Sequence, residues 1–285
     1  MIKRLKSPQM IIGLSIALFF VIIAIFAPFI MPNDPLATNM QNVTAPMSHE
    51  YPLGTDDLGR CVFSRLIAGC STTLGAALII ELVTFAIGIS LGVLAGYFGR
   101  VLEVFVVGVI DILLAFPSLI LALVIAGIMG PGLPNLMIAM ILVYWVEYAR
   151  VSRSMIMSLK EKTFVDAAIA IGSKPFAIIW RHILPNSIPS FISLLSLNMA
   201  SIILGLSSMS FIGLGVQPPT PEWGAILEDS RAYMNTNPQM LIGAIICIVL
   251  SVACFQMIGE ALRDSLNPRR PHLPIINKKR ISHRD

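Results

Sequence analysis

The sequence predicts an all-α, polytopic membrane protein with six transmembrane helices and with both termini in the cytoplasm. Three observations lead to this prediction: the composition, the length of the apolar runs and the placement of the basic residues. Of the 285 residues, 56% are hydrophobic and 13% are charged, whereas soluble domains average about 45–50% apolar and about 25% charged residues. So few polar residues could not cover the surface of a soluble fold of this size.

Apolar runs long enough to cross a hydrocarbon layer of about 30 Å recur along the chain. Because lipid offers the backbone no hydrogen-bond partners, each run is predicted to be a helix. The first run follows three basic residues, but it exceeds the apolar core of about 7–15 residues in a signal peptide, so we interpret it as a retained span. The predicted spans are residues 10–30, 72–97, 101–129, 133–148, 188–215 and 240–261.

The basic residues predict the orientation, because cytoplasmic loops are enriched in Lys and Arg. With a cytoplasmic N-terminus, all of the 20 Lys and Arg except Arg60, Arg65 and Arg231 fall on the cytoplasmic side. This spread along one membrane face indicates contact with lipid and no nucleic-acid partner. The predicted segments are a cytoplasmic N-terminus (1–9), a first helix (10–30), an external loop with an amphipathic segment (31–70), a five-helix core (71–261) that includes a cytoplasmic loop (151–187), and a cytoplasmic basic tail (262–285).

The cytoplasmic loop contains the stretch "VDAAIAIGSKPFAIIWRHILPN", residues 165–186. Asp166 followed by small residues and Gly172 predicts a short helix with an acidic first turn and a glycine stop. A second helix is predicted over residues 176–183, with the return to the membrane at Leu184 and Pro185. Two helices with apolar faces in one loop favour a docking element for a cytoplasmic partner over a plain solvated loop.

Acidic residues within the spans are costly to bury, so Glu81 and Asp111 are candidates for the transport pathway or for pairing between helices. Asp111 precedes Pro117, where a kink is predicted. Glu147 and Glu260 lie near the predicted cytoplasmic ends of their spans. We interpret them as solvated carboxylates near Arg150 and Arg263.

Two outer segments have distinctive compositions, one with Gly and Arg among apolar residues and the other rich in Pro. The stretch "YPLGTDDLGRCVFSRL" (51–66) can lie as an amphipathic helix in the lipid headgroup layer or brace the second span. The stretch "GVQPPTPEWG" (215–224) predicts a rigid loop whose Trp223 anchors at the membrane interface.

Enzymatic function is not predicted, since no nucleophile, base or metal constellation occurs. The chain has no G-x-x-x-x-G-K-[ST] motif, so it binds no ATP itself. All four His lie outside the predicted spans, and neither a catalytic nor a metal site is predicted. A secondary transporter with an internal repeat, or a channel with polar pore rings, remains as a remote alternative.

Several motifs together resemble the permease subunits of binding-protein-dependent ABC importers, in their dipeptide, oligopeptide and nickel branch. They occur in the family's order and spacing: "LGTDDLGRCVFSRLIAG" (53–69), "DILLAFPSL" (111–119), Asp-Ala-Ala with a following Gly (166–172), "RHILPN" (181–186), "SFIGLGVQPPTPEWGAIL" (210–227) and "GEALRDSLNP" (259–268).

The resemblance implies a type I ABC importer permease in a bacterial or archaeal cytoplasmic (inner) membrane. Its partners would be a second homologous permease subunit, two ATP-binding subunits that hydrolyse the ATP, and an extracytoplasmic solute-binding protein. The residues implied to couple to the ATPase are Asp166, Ala167, Ala168, Gly172 and Pro185. Those implied to face the binding protein are Pro218, Pro219 and Trp223.

The apolar and small residues 204–209, which lack the acid common in peptide-carrying members, favour nickel or a metal chelate as the substrate. Import of dipeptides or oligopeptides is the alternative.

Overall fold

A computed structural model describes residues 7–266 of the chain. Over this range the fold is helical, and the described residues form no strand. The helices are α1 (Pro8–Ile30), α2 (Val62–Phe98), α3 (Arg100–Leu114), α4 (Ser118–Met129), α5 (Leu133–Lys160), α6 (Thr163–Ala170), α7 (Pro175–Ile178), α8 (Leu184–Phe211), α9 (Trp223–Ser230) and α10 (Pro238–Leu266). Most of the predicted basic tail and residues 1–6 of the predicted N-terminus lie outside the described residues, so the position of the termini stays a prediction.

Four helices among residues 7–266 are long and apolar enough to cross a membrane. A fifth span exists if α3 and α4 count as one, but these helices meet at 85°, so the span predicted over 101–129 with a kink at Pro117 is broken into two helices. Pro117 explains the break, because proline disfavours a helical conformation in the residue before it and donates no backbone hydrogen bond. The remaining predicted span, residues 133–148, lies in α5, whose charged residues lower its hydropathy. Six spans therefore stay a prediction.

Three helices extend further than the sequence predicts. α2 begins at Val62, ten residues before the predicted span, and α5 continues to Lys160, twelve residues beyond the predicted end. α7 and α8 are joined by a π-helical turn, Ile179–Ile183, so residues 175–211 form one long helix. Pro185 lies directly after the π-helical turn, near the start of α8, and does not interrupt this long helix.

The contact between α2 and α5 is the most extensive helix pair in the described chain. Gly88, Gly92 and Gly96 recur at four-residue intervals on the α2 face that meets α5. A Cβ atom at Gly96 would approach the backbone oxygen of Arg153 to 2.8 Å, and Cβ atoms at the other two positions would collide with α5. Small residues at this spacing let two helix backbones approach closely.

Two apolar clusters complete the bundle. One fills the space between α2, α4, α5 and α8 with buried residues such as Ile80, Leu136 and Leu206. The other joins α1, α2, α9 and α10 around Trp223, whose ring packs on Phe20 at a centroid distance of 5.5 Å. α9 packs near the start of α2, whereas α6 packs with Val93 and Tyr97 near its end. The two short helices therefore lie at opposite ends of the bundle, which we call the α9 end and the α6 end.

Candidate functional sites

The α6 end carries the short helix that the sequence predicts. Asp166 lies in the first turn of α6, and the chain turns away at Gly172, which has φ of +80°. This left-handed conformation favours glycine. Val165 and Ala168 face inward and join a buried cluster with Ile178 and Ile183, which fixes α6 against the long helix.

The opposite face of α6 is exposed, with no other part of residues 7–266 packed on it. The side chains of Asp166 and Ala167 are exposed, and Pro185 is exposed nearby on α8. Large apolar residues surround them: Ile171 is 82% and Trp180 is 70% exposed, and Ile169 and Phe176 are also exposed. A plain solvated loop does not account for this concentration of apolar surface, which is typical of interaction sites.

Glu81 is fully buried between α2 and α5, where the hydroxyl of Tyr148 donates a hydrogen bond to its carboxylate. Its second oxygen, Oε2, has no hydrogen-bond partner among the described residues. The ring of Phe85 packs edge-on against Tyr148. Glu81 is therefore paired with Tyr148 across the contact of α2 and α5, and its role in the transport pathway stays a prediction.

Asp111 is exposed on α3. The predicted alternative of a pair with a neighbouring helix is not realised within residues 7–266, where no hydrogen bond or salt bridge reaches its carboxylate. It remains an unpaired acidic group in that part of the chain.

The α9 end is held by a network of charged residues. Arg60 Nε lies 2.6 Å from Asp56 Oδ2, and Arg65 Nε lies 3.4 Å from the same atom. Asp229 at the end of α9 forms ion pairs with both arginines, with its Oδ2 at 3.8 Å from Arg60 Nη2 and 3.5 Å from Arg65 Nη2. Asp57 lies 3.6 Å from Arg60 Nη2. The network ties α2 to α9.

This network corrects the prediction of an amphipathic helix in the headgroup layer. Arg60 and Arg65 are 3% and 2% exposed and serve as ion-pair partners inside the protein. Residues 62–66 form the first turns of α2, and Val62 and Leu66 pack on the cluster around Trp223. The segment therefore braces the start of α2, which is the other arrangement that the sequence allowed.

Trp223 also differs from its prediction. It is 1% exposed, and its indole Nε1 donates to the backbone oxygen of Leu66 at 2.9 Å, so it is neither an interfacial anchor nor part of a docking surface. Pro218 and Pro219 are exposed. The backbone oxygen of Pro219 accepts from Arg65 Nη1 at 3.3 Å, which attaches this loop to the ion network.

The neighbouring Glu222 is a structural residue that the sequence analysis did not single out. It is fully buried, caps α9 by accepting from the backbone N–H of Ala225 at 3.0 Å, and accepts from the Thr73 hydroxyl at 3.0 Å. A Glu directly before a helical pattern is a weak signal, and its partner lies 149 residues away in sequence.

Burial raises the pKa of two of the acids at the α9 end, Asp229 and Glu222. It raises the pKa of the Asp229 carboxyl from 3.8 to about 6, against the opposing effect of Arg65. It also raises the pKa of the Glu222 carboxyl, although hydrogen bonds from Gly224 and Ala225 oppose the change. Among residues 7–266, no group of three or more His, Cys, Asp or Glu residues could hold a metal ion.

The sequence matches a transporter family over most of its length. Residues 88–271 match the family described as binding-protein-dependent transport system inner membrane component, and residues 4–47 match the N-terminal TM domain of oligopeptide transport permease C. The chain therefore belongs to the family of binding-protein-dependent transport system inner membrane components. It is a multi-pass inner membrane protein and an ABC importer permease, as the sequence motifs predict.

Its relatives indicate the branch. The chain is 40% identical, over 94% of its length and 88% of the relative, to the dipeptide transport system permease protein DppC of Alkalihalophilus pseudofirmus. It is 36% identical to the glutathione transport system permease protein GsiD of Pectobacterium atrosepticum, over 88% of this chain and 84% of the relative. The DppC protein of Haemophilus influenzae is 34% identical, over 91% of this chain and 90% of the relative. These names favour the peptide alternative over the nickel expectation.

A solved structure supports the fold. The MetNI methionine ABC transporter in an inward facing conformation contains a chain with a TM-score of 0.56 and 19% identity to this one, covering 72% of this chain and 98% of that chain. The likeness shows the type I ABC importer permease fold and carries no information on substrate.

The nickel expectation rested on residues 204–209 of α8, and the structure explains why that segment is a poor guide. Leu206 and Met209 are fully buried in the central cluster, and Gly205 lies so close to α5 that a Cβ atom would approach the Tyr144 hydroxyl to 2.8 Å. Packing therefore accounts for much of the apolar character that was read as a substrate signal.

Proposed function

We propose that this chain is one of two membrane-spanning permease subunits of an ATP-driven importer of short peptides, which an extracytoplasmic binding protein delivers. The observation that carries the peptide assignment is the 40% identity, over nearly the whole chain, to a permease named for dipeptide transport. Relatives named for transport of glutathione, itself a short peptide, support the same substrate class.

The chain is proposed to be the non-catalytic part of this importer. It lacks the motif that cradles ATP phosphates, so two partner subunits would bind and hydrolyse ATP, and this chain would bind no cofactor. The second permease subunit would be homologous to this one.

The coupling surface is proposed to be the exposed face of α6, with Asp166 and Ala167 in contact with an ATP-binding subunit. Ala168 packs α6 on the bundle, Gly172 ends the helix, and Pro185 lies exposed beside it. Ile171 and Trp180 supply apolar area that the partner would bury. This assignment places the α6 end in the cytoplasm, in agreement with the orientation predicted from the basic residues.

The α9 end would then meet the binding protein through the exposed loop that contains Pro218 and Pro219. Asp111, exposed on α3, is proposed as a residue of the transport pathway. Glu81 is proposed to act on the pathway indirectly, by fixing α5 to α2 through its hydrogen bond with Tyr148.

Substitution of Ala167 by Trp tests the coupling role. Because Ala167 is exposed, the variant is expected to fold and reach the membrane, but uptake and co-purification of the ATP-binding subunits should be lost. The matched control is Ala37→Trp, at an exposed position in the segment between α1 and α2. Normal uptake by Ala167→Trp would overturn this assignment of the surface.

Uptake experiments test the substrate class. Cells with and without the gene are given radiolabelled dialanine or radioactive nickel, each with and without a metal chelator. The proposed function predicts loss of dialanine uptake alone. Loss of nickel accumulation alone would overturn it.

A further inference from the structure

A cavity of about 240 Å³ lies between α4, α5 and α8. Apolar side chains form part of its wall, and seven polar residues form the rest: Ser118, Tyr144, Glu147, Tyr148, Arg150, Asn198 and Ser201. Pockets for drug-sized ligands usually measure about 300–1,000 Å³. The size and the mixed wall therefore suit a small polar molecule.

Two opposite charges stand side by side in this wall. Glu147 and Arg150 are three residues apart on α5, which puts them on the same helix face about 4.5 Å apart along the axis. Both side chains are exposed, and neither takes part in a salt bridge with another described residue. Their charges are thus available to a ligand.

Glu147 does not lie at the end of its helix. α5 continues from Glu147 to Lys160, or about 20 Å further along the helix axis. Glu147 also falls within the span predicted over residues 133–148, and charged groups within a span face cavities and mark functional sites.

We infer that this cavity binds the two charged ends of a short peptide in transit. The Glu147 carboxylate accepts hydrogen bonds from the peptide's ammonium group, and the Arg150 guanidinium donates to its carboxylate. Asn198 and the hydroxyl groups of Ser118, Tyr144 and Ser201 are available to the peptide bond. This role rests on the proposed import of peptides and gives that import a selective step within the permease.

The geometry favours a dipeptide over other cargo. An extended stretch of two residues spans at most about 7 Å, which two side chains one helical turn apart can bracket. A longer peptide would place its two ends beyond the reach of this pair. A metal cation would meet a single carboxylate beside a positive guanidinium, which is an unfavourable site because cations at such sites need several oxygen ligands.

Equilibrium dialysis of the purified complete transporter, without its binding protein, tests the site. Three radiolabelled probes are compared: dialanine, N-acetyl-dialanine, which lacks the ammonium charge, and dialanine amide, which lacks the carboxylate. Glu147→Gln should weaken dialanine binding about tenfold and leave N-acetyl-dialanine unchanged. Arg150→Gln should weaken dialanine about tenfold and leave the amide unchanged, whereas Arg150→Lys keeps the charge and should retain most of the binding.

Glu260→Gln and Arg263→Gln are the matched controls, because this pair has the same spacing and is also exposed, but lies on α10 away from the cavity. Co-purification of the partner subunits confirms that each variant assembles. The inference is overturned if dialanine binds the Glu147 and Arg150 variants as tightly as the controls, or if the wild-type complex imports dialanine but does not bind it. Absence of dialanine import by the wild-type transporter, with binding protein and ATP in proteoliposomes, would instead overturn the proposed function.

Discussion

The hydroxyl of Thr73 donates a hydrogen bond of 3.0 Å to the carboxylate of Glu222. The same hydroxyl oxygen accepts a 3.1 Å bond from the backbone N–H of Trp223. Through this one side chain, α2 holds both the cap and the first residue of α9. The exposed loop before α9, which carries Pro218 and Pro219, is thus attached to α2, which runs for 37 residues.

Removal of this cap should loosen the α9 end. We expect Glu222→Ala to lower the free energy of unfolding by about 2–4 kcal/mol, since it removes a helix cap and leaves the buried donors of Thr73 and Ala225 unpaired. Thermal unfolding of the detergent-purified protein measures the effect. Glu228→Ala, at an exposed position on the same helix, is the control. Equal unfolding temperatures for the two variants would contradict the capping role.

The contact between α2 and α5 predicts that two glycines of α2 differ sharply in how well they tolerate a larger side chain. Gly92 lies against the backbone and side chains of α5, whereas Gly75 has no atom within 4 Å of an added Cβ. Gly92→Leu should destabilise the fold by about 3 kcal/mol or more through overpacking, and Gly75→Leu should be tolerated. Yields of folded protein in size-exclusion chromatography distinguish them. A normal elution profile for Gly92→Leu would show that the helices can move apart.

Sequence patterns predicted the structural features that depend on residues close together in the chain. The helical class, the short helix at Asp166 and its glycine stop follow from composition, capping and spacing, and the structure has each of them. The break at Pro117 was predicted as a kink, but its angle of 85° depends on how α4 packs on α5.

Features that depend on distant partners were not predictable. Trp223 appeared to be an interfacial anchor because its partner, Leu66, lies 157 residues away. Arg65 appeared to suit an amphipathic helix in the headgroup layer because its partner, Asp229, lies on another helix. The four-residue spacing of Gly88, Gly92 and Gly96 was a signal in the sequence that could have identified the α2 face against α5.

The buried pair of Glu81 and Tyr148 predicts a coupled effect on stability. Tyr148→Phe should cost about 1–3 kcal/mol, because it leaves the Glu81 carboxylate buried without its donor. The loss should be smaller in a Glu81→Leu background, where no polar group needs that donor. Tyr144→Phe, on the same helix, is the control. Additive unfolding free energies across the double-mutant cycle would contradict a direct interaction.

The ion network at the α9 end predicts a pH-dependent stability. Three carboxylates, those of Asp56, Asp57 and Asp229, face two guanidinium groups, so the network holds one excess negative charge. Burial raises the pKa of Asp229 to about 6. An aspartate with a raised pKa binds its proton more tightly in the folded state, so the free energy of unfolding falls as pH rises from the ordinary value of 3.8 to about 6.

Asp229→Asn removes the cost of burying the charged carboxylate of Asp229, and it keeps the shape of the side chain. At pH 7.5 the variant should be more stable than the wild type by about 1–2 kcal/mol, a value reduced for the partial exposure of Asp229. The difference should shrink as pH falls below about 6, because the wild-type carboxyl then takes up its proton. Thermal unfolding of both proteins at pH 5 and pH 7.5 measures it. A variant that is less stable than the wild type at pH 7.5 would mean that attraction to Arg60 and Arg65 outweighs the cost of burying the third carboxylate.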